Sequence, residues 1–98
     1  MGKLFQNATG IIFNVDTGMN ILGATTVELI VKKPDESVVK WKGKIVNNRF
    51  ITYVTQEGDL DQVGTYILQA HVITSDGNEY FGDIVKFYVY PPITSTGG

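Results

Sequence analysis

Apolar and polar residues alternate along most of this chain, and alternation with a period of two is typical of a β-strand. The clearest case is the segment GTYILQAHVI at 64–73, where every second residue from Tyr66 to Val72 is apolar. Gly64 and the polar corner before it predict that the strand is entered through a tight turn. We therefore expect this segment to be the central strand of the fold.

The same period predicts further strands before and after the central one. They span residues 10–15, 25–33, 38–46, 49–55 and 79–90, and the short segment 1–9 is either an arm or an additional edge strand. Turn-forming residues separate several of them, at Pro34-Asp35, Asn47-Asn48 and Asp76-Gly77, and the last pair favours a primed hairpin turn. The connection 16–24 is too long for a hairpin, so we expect the chain to cross between two sheets there.

The alternation also predicts which side chains face the core. We expect Trp41 to be a core residue and Leu60 to be buried under the corner that precedes the central strand. Both faces of the segment 49–55 are apolar, and there we expect the inward residues to be Phe50, Thr52 and Val54. In the segment 79–90 the residues predicted to share one inward face are Phe81, Val85, Phe87 and Val89.

Six strands, or seven with the N-terminal segment, and no long amphipathic helix predict an all-β fold, either a sandwich or a small barrel. We expect an Ig-like antiparallel β-sandwich, because Gly64-Thr65-Tyr66 resembles the tyrosine corner of that architecture. The tight Pro34–Ser37 turn departs from the antibody topology, in which the two flanking strands lie in different sheets. The domain is predicted to span 10–92, with an arm or edge strand at 1–9 and a flexible tail at 93–98.

Composition narrows the function classes. The 98 residues suffice for one domain, and 43% hydrophobic with 18% charged residues is typical of a globular chain that folds. The net charge of −2 is spread along the chain, which argues against nucleic-acid binding. Cysteine is absent, and no segment approaches the about 18 to 20 apolar residues of a membrane span. We expect no signal peptide, no membrane partner and synthesis in the cytoplasm.

Candidate chemistry is sparse. The single histidine, His71, is predicted on the outward face of the central strand without partners for metal binding or proton transfer. Glu57, Asp59 and Asp61 cluster at the corner, where carboxylates can bind calcium, but the calcium-loop spacing is not met. Solvated turn carboxylates are the simpler interpretation, and ion binding there stays open. We expect no enzymatic activity, no cofactor and no metal.

An apolar stripe is predicted on the outward face of the hairpin formed by 64–73 and 79–90. It consists of Ile67, Ile73, Ile84, Tyr88 and Tyr90, which would be adjacent across the two strands. Either loops and the N-terminal segment cover this stripe, through Leu4 and Phe5, or it is a protein interface, since aromatic residues are enriched in such contacts.

The residues 24–92 resemble a known family. The stretches are VELIVKKPDESVVKWKGKIV and NRFITYVTQEGDLDQVGTYILQAHVITSDGNEYFGDIVKFYVYPP, and they are similar to the small Ig-like β domains of bacteriophage virion proteins, including the N-terminal domain family of phage baseplate upper proteins. The shared features are a Lys-Pro-Asp-Gly turn, a leucine-rich corner, a Gly-x-Tyr strand and an Asp-Gly hairpin. In this chain Glu36 stands where such turns usually have glycine.

The resemblance implies a virion structural protein of the tail, baseplate, neck or capsid. Its partners would be other virion proteins and further copies of itself, and its location the virion, after assembly in the host bacterial cytoplasm. The alternative is a carbohydrate-binding or adhesive surface module, in which a glycan would stack on aromatic residues such as Trp41, Tyr53, Tyr80 or Tyr90.

Overall fold

The computed structural model describes residues 3–93, and all regular elements in that range are β-strands. They are β1 (Leu4–Phe5), β2 (Ile12–Asp16), β3 (Thr26–Lys32), β4 (Val38–Lys42), β5 (Lys44–Val46), β6 (Phe50–Val54), β7 (Gly64–Ile73) and β8 (Glu79–Tyr90). Most of the predicted flexible tail, residues 94–98, lies outside the described residues.

The strands form two sheets, one of five strands in the order β1-β8-β7-β3-β4 and one of three in the order β2-β6-β5. The pairs are antiparallel except β1 with β8, which is parallel. The predicted all-β sandwich is confirmed, with eight strands among the described residues instead of six or seven. The chain crosses between the sheets from β2 to β3, as the long 16–24 connection predicts.

The core lies between the two sheets. Its fully buried apolar side chains are Ile21, Leu29, Val31, Trp41, Ile51, Leu60, Tyr66, Leu68, Ala70, Val72 and Val89. Trp41 is paired with Leu29 across β3 and β4, and its ring is stacked on that of Tyr53 with centroids 4.8 Å apart. The predicted burial of Trp41, Leu60 and one face of β7 is therefore confirmed.

The tyrosine corner forms at the start of β7. The Tyr66 hydroxyl accepts a hydrogen bond of 3.0 Å from the backbone N–H of Gln62, just upstream in the chain. Gly64 has φ of 135°, and a Cβ at this position would lie 2.9 Å from the Cβ of Pro34. Glycine is required there because both the backbone conformation and the close approach of Pro34 exclude a side chain.

The segment 38–46, predicted as one strand, is two strands in different sheets. β4 pairs with β3, β5 pairs with β6, and the chain changes sheet at Gly43. A Cβ on Gly43 would lie 2.4 Å from Cγ2 of Ile51 and 3.0 Å from the carbonyl oxygen of Thr52, so this crossing requires glycine. Alternation of residue types does not reveal a change of sheet, which is why the prediction was wrong.

The predicted inward face of β6 is also wrong. Ile51 is fully buried and Tyr53 packs on Trp41, whereas Val54 is 41% exposed. Both faces of this strand are apolar, so the pattern could not choose between them. Packing against the opposite sheet decides the orientation, because the ring of Tyr53 covers the indole.

Two hairpin loops share one conformation. Lys33 N–H bonds to Ser37 C=O and Thr74 N–H to Asn78 C=O, so each loop has three residues. The third loop residue has positive φ, 72° at Glu36 and 89° at Gly77. This is a type I turn followed by a bulge, so the primed turn predicted from Asp76-Gly77 is wrong. Glu36 occupies a position that favours glycine.

We expect the substitution Glu36→Gly to stabilise the protein by about 1 kcal/mol. A non-glycine residue with this backbone conformation costs about 1–2 kcal/mol, and the larger conformational entropy of glycine in the unfolded chain offsets part of the gain. The matched control is Gly77→Ala in the equivalent loop, which should destabilise by about 1 kcal/mol. Urea denaturation of the three proteins measures both effects. Equal midpoints would contradict this account of the loops.

Candidate functional site

The candidate site is the face of the five-stranded sheet that points away from the core, here called the outer face. Its side chains alternate with buried ones along β3, β4 and β7, and the strand register places those of β8 beside them. The outer-face residues used below are Glu28, Ile30, Lys32, Val38, Lys40, Lys42, Thr65, Ile67, Gln69, His71, Ile73, Glu79, Phe81, Ile84, Lys86 and Tyr88.

The predicted interface residues share this face, but they do not form adjacent pairs across β7 and β8. Ile84 is 60% and Tyr88 45% exposed, whereas Ile67, Ile73 and Tyr90 are half-buried. The register pairs Ile67 with Lys86, Ile84 with Gln69, Tyr88 with Thr65 and Ile73 with Glu79. The predicted continuous stripe is therefore interrupted by polar side chains, and its role as an interface stays a prediction.

Apolar side chains from β3 and β4 enlarge the exposed apolar region. Ile30 and Val38 line a shallow cavity of about 200 Å³ together with Ile67 and Ile84, and Lys32 and Gln69 complete its wall. Sequence reasoning missed Ile30 and Val38 because their position beside the hairpin depends on strand order. The outward position of Ile30 in the alternation of β3 was the available signal.

The N-terminal segment covers only one end of the outer face. β1 pairs with β8 at Val89 and Tyr90, and the rings of Phe5 and Tyr90 have centroids 6.3 Å apart. Over the described residues the first strand therefore leaves the region around Ile84 uncovered, which removes the interpretation that this segment hides the whole stripe.

Three charged side chains that are linked by hydrogen bonds cross the outer face from β3 to β8. His71 Nδ1 lies 2.6 Å from a carboxylate oxygen of Glu28, and Nε2 lies 2.6 Å from one of Glu79. A ring that bonds to carboxylates through both nitrogens donates both hydrogens, which requires the charged imidazolium. His71 and Glu28 are each 7% exposed, so this is a partly buried ion cluster.

Burial alone would lower the pKa of His71, but the hydrogen bonds to Glu28 and Glu79 and their charges outweigh it and raise the pKa above its ordinary range. Lys40, which lies on β4, places its Nζ 3.8 Å from the same oxygen of Glu28. His71 sits on the outward face as predicted, yet it is not isolated. Sequence reasoning missed its partners because Glu28 and Glu79 come from other strands, and their outward positions were the available signal.

Phe81 is also on the outer face, which corrects its predicted inward position. Its ring is stacked on His71 with centroids 4.8 Å apart, and it is 56% exposed. A bulge in β8, opposite the step from Gln69 to His71, inserts one extra residue. Every residue of β8 before the bulge therefore changes face relative to the simple alternation.

The acidic corner is bonded within the protein. Asp59 accepts hydrogen bonds from the Tyr53 hydroxyl and from the backbone N–H of Gln56, and Asp61 pairs with Lys33 at 2.8 Å. Among residues 3–93, no group of three or more His, Asp or Glu side chains is placed to hold a metal ion. The carboxylates act here as turn and ion-pair partners.

The aromatic residues named for a glycan do not form a common surface. Trp41 is 3% exposed and stacks on Tyr53 between the sheets, so neither ring is free to receive a sugar. Tyr80 is 43% exposed near one end of β8, and Tyr90 lies at the other end. The described part of the chain also has no helix that could cross a membrane.

No protein-family model and no curated protein matches this chain. The chain is similar to a solved structure, that of CopC from Methylosinus trichosporium OB3b, with a TM-score of 0.60 and 19% sequence identity. The superposition covers 92% of this chain and 86% of CopC. At this identity the likeness shows a shared β-sandwich fold.

The likeness corrects two predictions. A virion structural role, and with it a location in the virion or in the host cytoplasm during assembly, is wrong, because the matching fold is that of CopC and not of a virion component. The motifs that carried the resemblance, Gly64-Thr65-Tyr66 and Asp76-Gly77, form a corner and a hairpin that many β-sandwiches need. They identify the architecture and do not distinguish one function from another.

We expect the stability of the protein to fall as pH rises above neutral. The folded state holds the pKa of His71 above the value of about 6.5 in the unfolded chain, so its contribution is complete below that pH and is lost as pH rises through the folded pKa. Glu79→Gln should lower the pKa of His71 and weaken this dependence. The matched control is Glu57→Gln, at an exposed glutamate of the corner.

The measurements are the urea midpoint between about pH 5.5 and pH 9 and the NMR titration of the imidazole, which is unambiguous because the chain has one histidine. A titration midpoint at or below that of a model histidine, or the same pH dependence in Glu79→Gln as in the parent protein, would show that the carboxylates do not hold the proton.

Proposed function

We propose that this chain is a non-catalytic protein-binding module and that the outer face of its five-stranded sheet is the binding surface. The observation that carries the proposal is the exposure of large apolar side chains there, with Val38 at 59%, Phe81 at 56% and Ile84 at 60%. A sheet that packs on the core with one face normally presents polar residues on the other. Clustered apolar residues on such a face favour burial against a partner.

The shape of the outer face supports a protein partner over a small ligand. The cavity between Ile30, Val38, Ile67 and Ile84 measures about 200 Å³, and another of about 460 Å³ lies at the end of the sheet beside Glu28 and Lys42; both are wide open to solvent. Pockets for small ligands instead enclose most of the surface of the ligand. A broad face with apolar side chains and a polar surround is instead typical of the core and rim of a protein interface.

The ion cluster on the same face supports a binding role without catalysis. Both ring nitrogens of His71 are bonded to carboxylates, and the ring of Phe81 stacks on the imidazole. A general acid or base needs a nitrogen within hydrogen-bond reach of the substrate. The cluster instead joins β3, β7 and β8 through side-chain hydrogen bonds on the proposed binding surface.

A photo-cross-linking amino acid tests this proposal. When benzoylphenylalanine replaces Ile84, we expect a discrete protein adduct in the cells that make the chain, and Tyr88→Ser should reduce its yield by at least about fivefold, because exposed aromatic residues often contribute more than 1 kcal/mol to an interface. Tyr88 is 45% exposed, so its replacement should leave the melting temperature nearly unchanged.

The matched control is the same replacement at Ile12, which is 65% exposed on β2 of the other sheet. Equal labelling from both positions, or labelling from Ile84 that does not change in the Tyr88→Ser variant, would contradict a specific surface. An adduct with the mass of two chains would identify a second copy as the partner.

A further inference from the structure

We propose that the outer face binds an acidic protein segment, one whose carboxylates contact four lysines while its apolar residues cover the cavity at Ile84. This inference rests on the proposed protein-binding function and adds the chemistry of the partner. It follows from the charge distribution, the apolar centre and the open edges of the sheet.

Half of the basic residues of the chain lie on the outer face. The chain has eight Lys and Arg residues, and four of them, Lys32, Lys40, Lys42 and Lys86, are exposed there on β3, β4 and β8. Lys40 approaches Glu28, but within the described range no ion pair forms at Lys32, Lys42 or Lys86. Their charges are therefore available to a partner.

The acidic residues are distributed in the opposite way. The two acids of the outer face, Glu28 and Glu79, are both bonded to His71, whose raised pKa favours the positive charge between them. Of the other eight acids, seven lie in loops or on the smaller sheet: Asp16, Asp35, Glu36, Glu57, Asp59, Asp61 and Asp76; the eighth, Asp83, is exposed at the bulge of β8. A chain with a net charge of −2 thus has one positive face.

The lysines surround and interrupt the apolar centre. The register places Val38, Lys32, Ile67 and Lys86 in one row across β4, β3, β7 and β8, and Lys40, Ile30, Gln69 and Ile84 in the next. Lys32 and Lys86 are two strands apart, about 10 Å, so their fields overlap at physiological salt. A partner that covers Ile67 must therefore bring negative charge.

The same charges argue against a second copy packed face to face. Such a pair would place eight lysines against each other around one apolar patch, and like charges across an interface cost several kcal/mol. Acidic residues on a partner would instead be attracted to the lysines, which speeds association and defines the orientation of the complex. Charge complementarity therefore selects an acidic chain.

The edges of the sheet favour a polypeptide over an anionic membrane. β4 is one edge strand of the five-stranded sheet. At the opposite edge, β1 pairs with β8 only at Val89 and Tyr90 within residues 3–93. Among the described residues, the other outward-pointing backbone groups of β4 and β8 have no strand partner, and a polypeptide can pair with them, which a lipid cannot. The bulge in β8 limits regular strand addition, so side-chain contacts on the face set the specificity.

Titration with defined probes tests the partner chemistry. The probes are two short synthetic peptides, one alternating Glu with Leu and one alternating Lys with Leu, and vesicles of equal parts phosphatidylglycerol and phosphatidylcholine. We expect the Glu-Leu peptide to shift the amide NMR signals of Lys32, Ile67 and Ile84, with an affinity that falls between about 0.02 M and about 0.3 M salt. The Lys-Leu peptide should cause no shift.

Charge-reversal variants provide the controls. Lys32→Glu combined with Lys86→Glu should weaken binding of the Glu-Leu peptide at least about tenfold, as expected for the loss of two charge contacts. Lys44→Glu, at an exposed lysine of β5 in the other sheet, should change it less than about twofold. Tighter binding to the vesicles than to the peptide, no binding of either, or equal effects of the lysine variants would overturn the inference.

The cross-linking experiment separates this inference from the proposed function. With the photo-cross-linker at Ile84, the double variant Lys32→Glu and Lys86→Glu should remove the adduct. If the adduct persists, or if it proves to be a second copy of the chain, the outer face binds protein but the partner is not selected by acidic charge. If Ile84 forms no adduct in the parent protein, the proposed function itself fails.

Discussion

The antiparallel register of β3, β7 and β8 is the constraint on which the rest of the structure depends. A shift of one residue in any of these strands would move its core side chains to the surface and its outer-face residues into the core. Burial of Leu29, Leu68 and Val89 specifies that register from the inside. On the outside, His71 joins Glu28, its register partner on β3, to Glu79 of β8. The two faces of the sheet thus specify the same alignment.

That register also determines what the surface can do. It places Lys32 and Lys86 on either side of Ile67, and Ile84 beside the cavity that Ile30 and Val38 complete. In the proposed interface the apolar side chains would supply burial energy, and the lysines would select the partners attracted to it. The His71 cluster bonds both Glu28 and Glu79 to one imidazolium, whose positive charge offsets part of their negative charge. The arrangement of the proposed binding surface is therefore a consequence of the strand pairing.

The likeness to CopC identifies an architecture and leaves function to the surface. A β-sandwich hosts many functions, because the residues that specify its corner and hairpins are independent of those on its exposed faces. Tyr66 bonds to the backbone of Gln62, and Gly77 closes the β7-β8 loop, whatever the sheet binds. The acidic corner shows the same separation, since Asp59 and Asp61 stabilise the turn before β7 through Tyr53 and Lys33. Such contacts stabilise the fold, whereas the proposed function depends on the exposed lysines and isoleucines.

The sequence by itself determined the all-β class, the positions of most strands, the tyrosine corner and the inward face of β7, because alternation with period two and a Gly-x-Tyr corner are local properties of the chain. It also identified Ile67, Ile84 and Tyr88 as outward residues. Tertiary structure decided the change of sheet at Gly43, the inward face of β6 and the bulge that turns Phe81 outward. It alone assembled Glu28, His71 and Glu79 and brought Ile30 and Val38 beside the hairpin. These features depend on which strands are neighbours and in what register, and residues far apart in the chain establish that jointly.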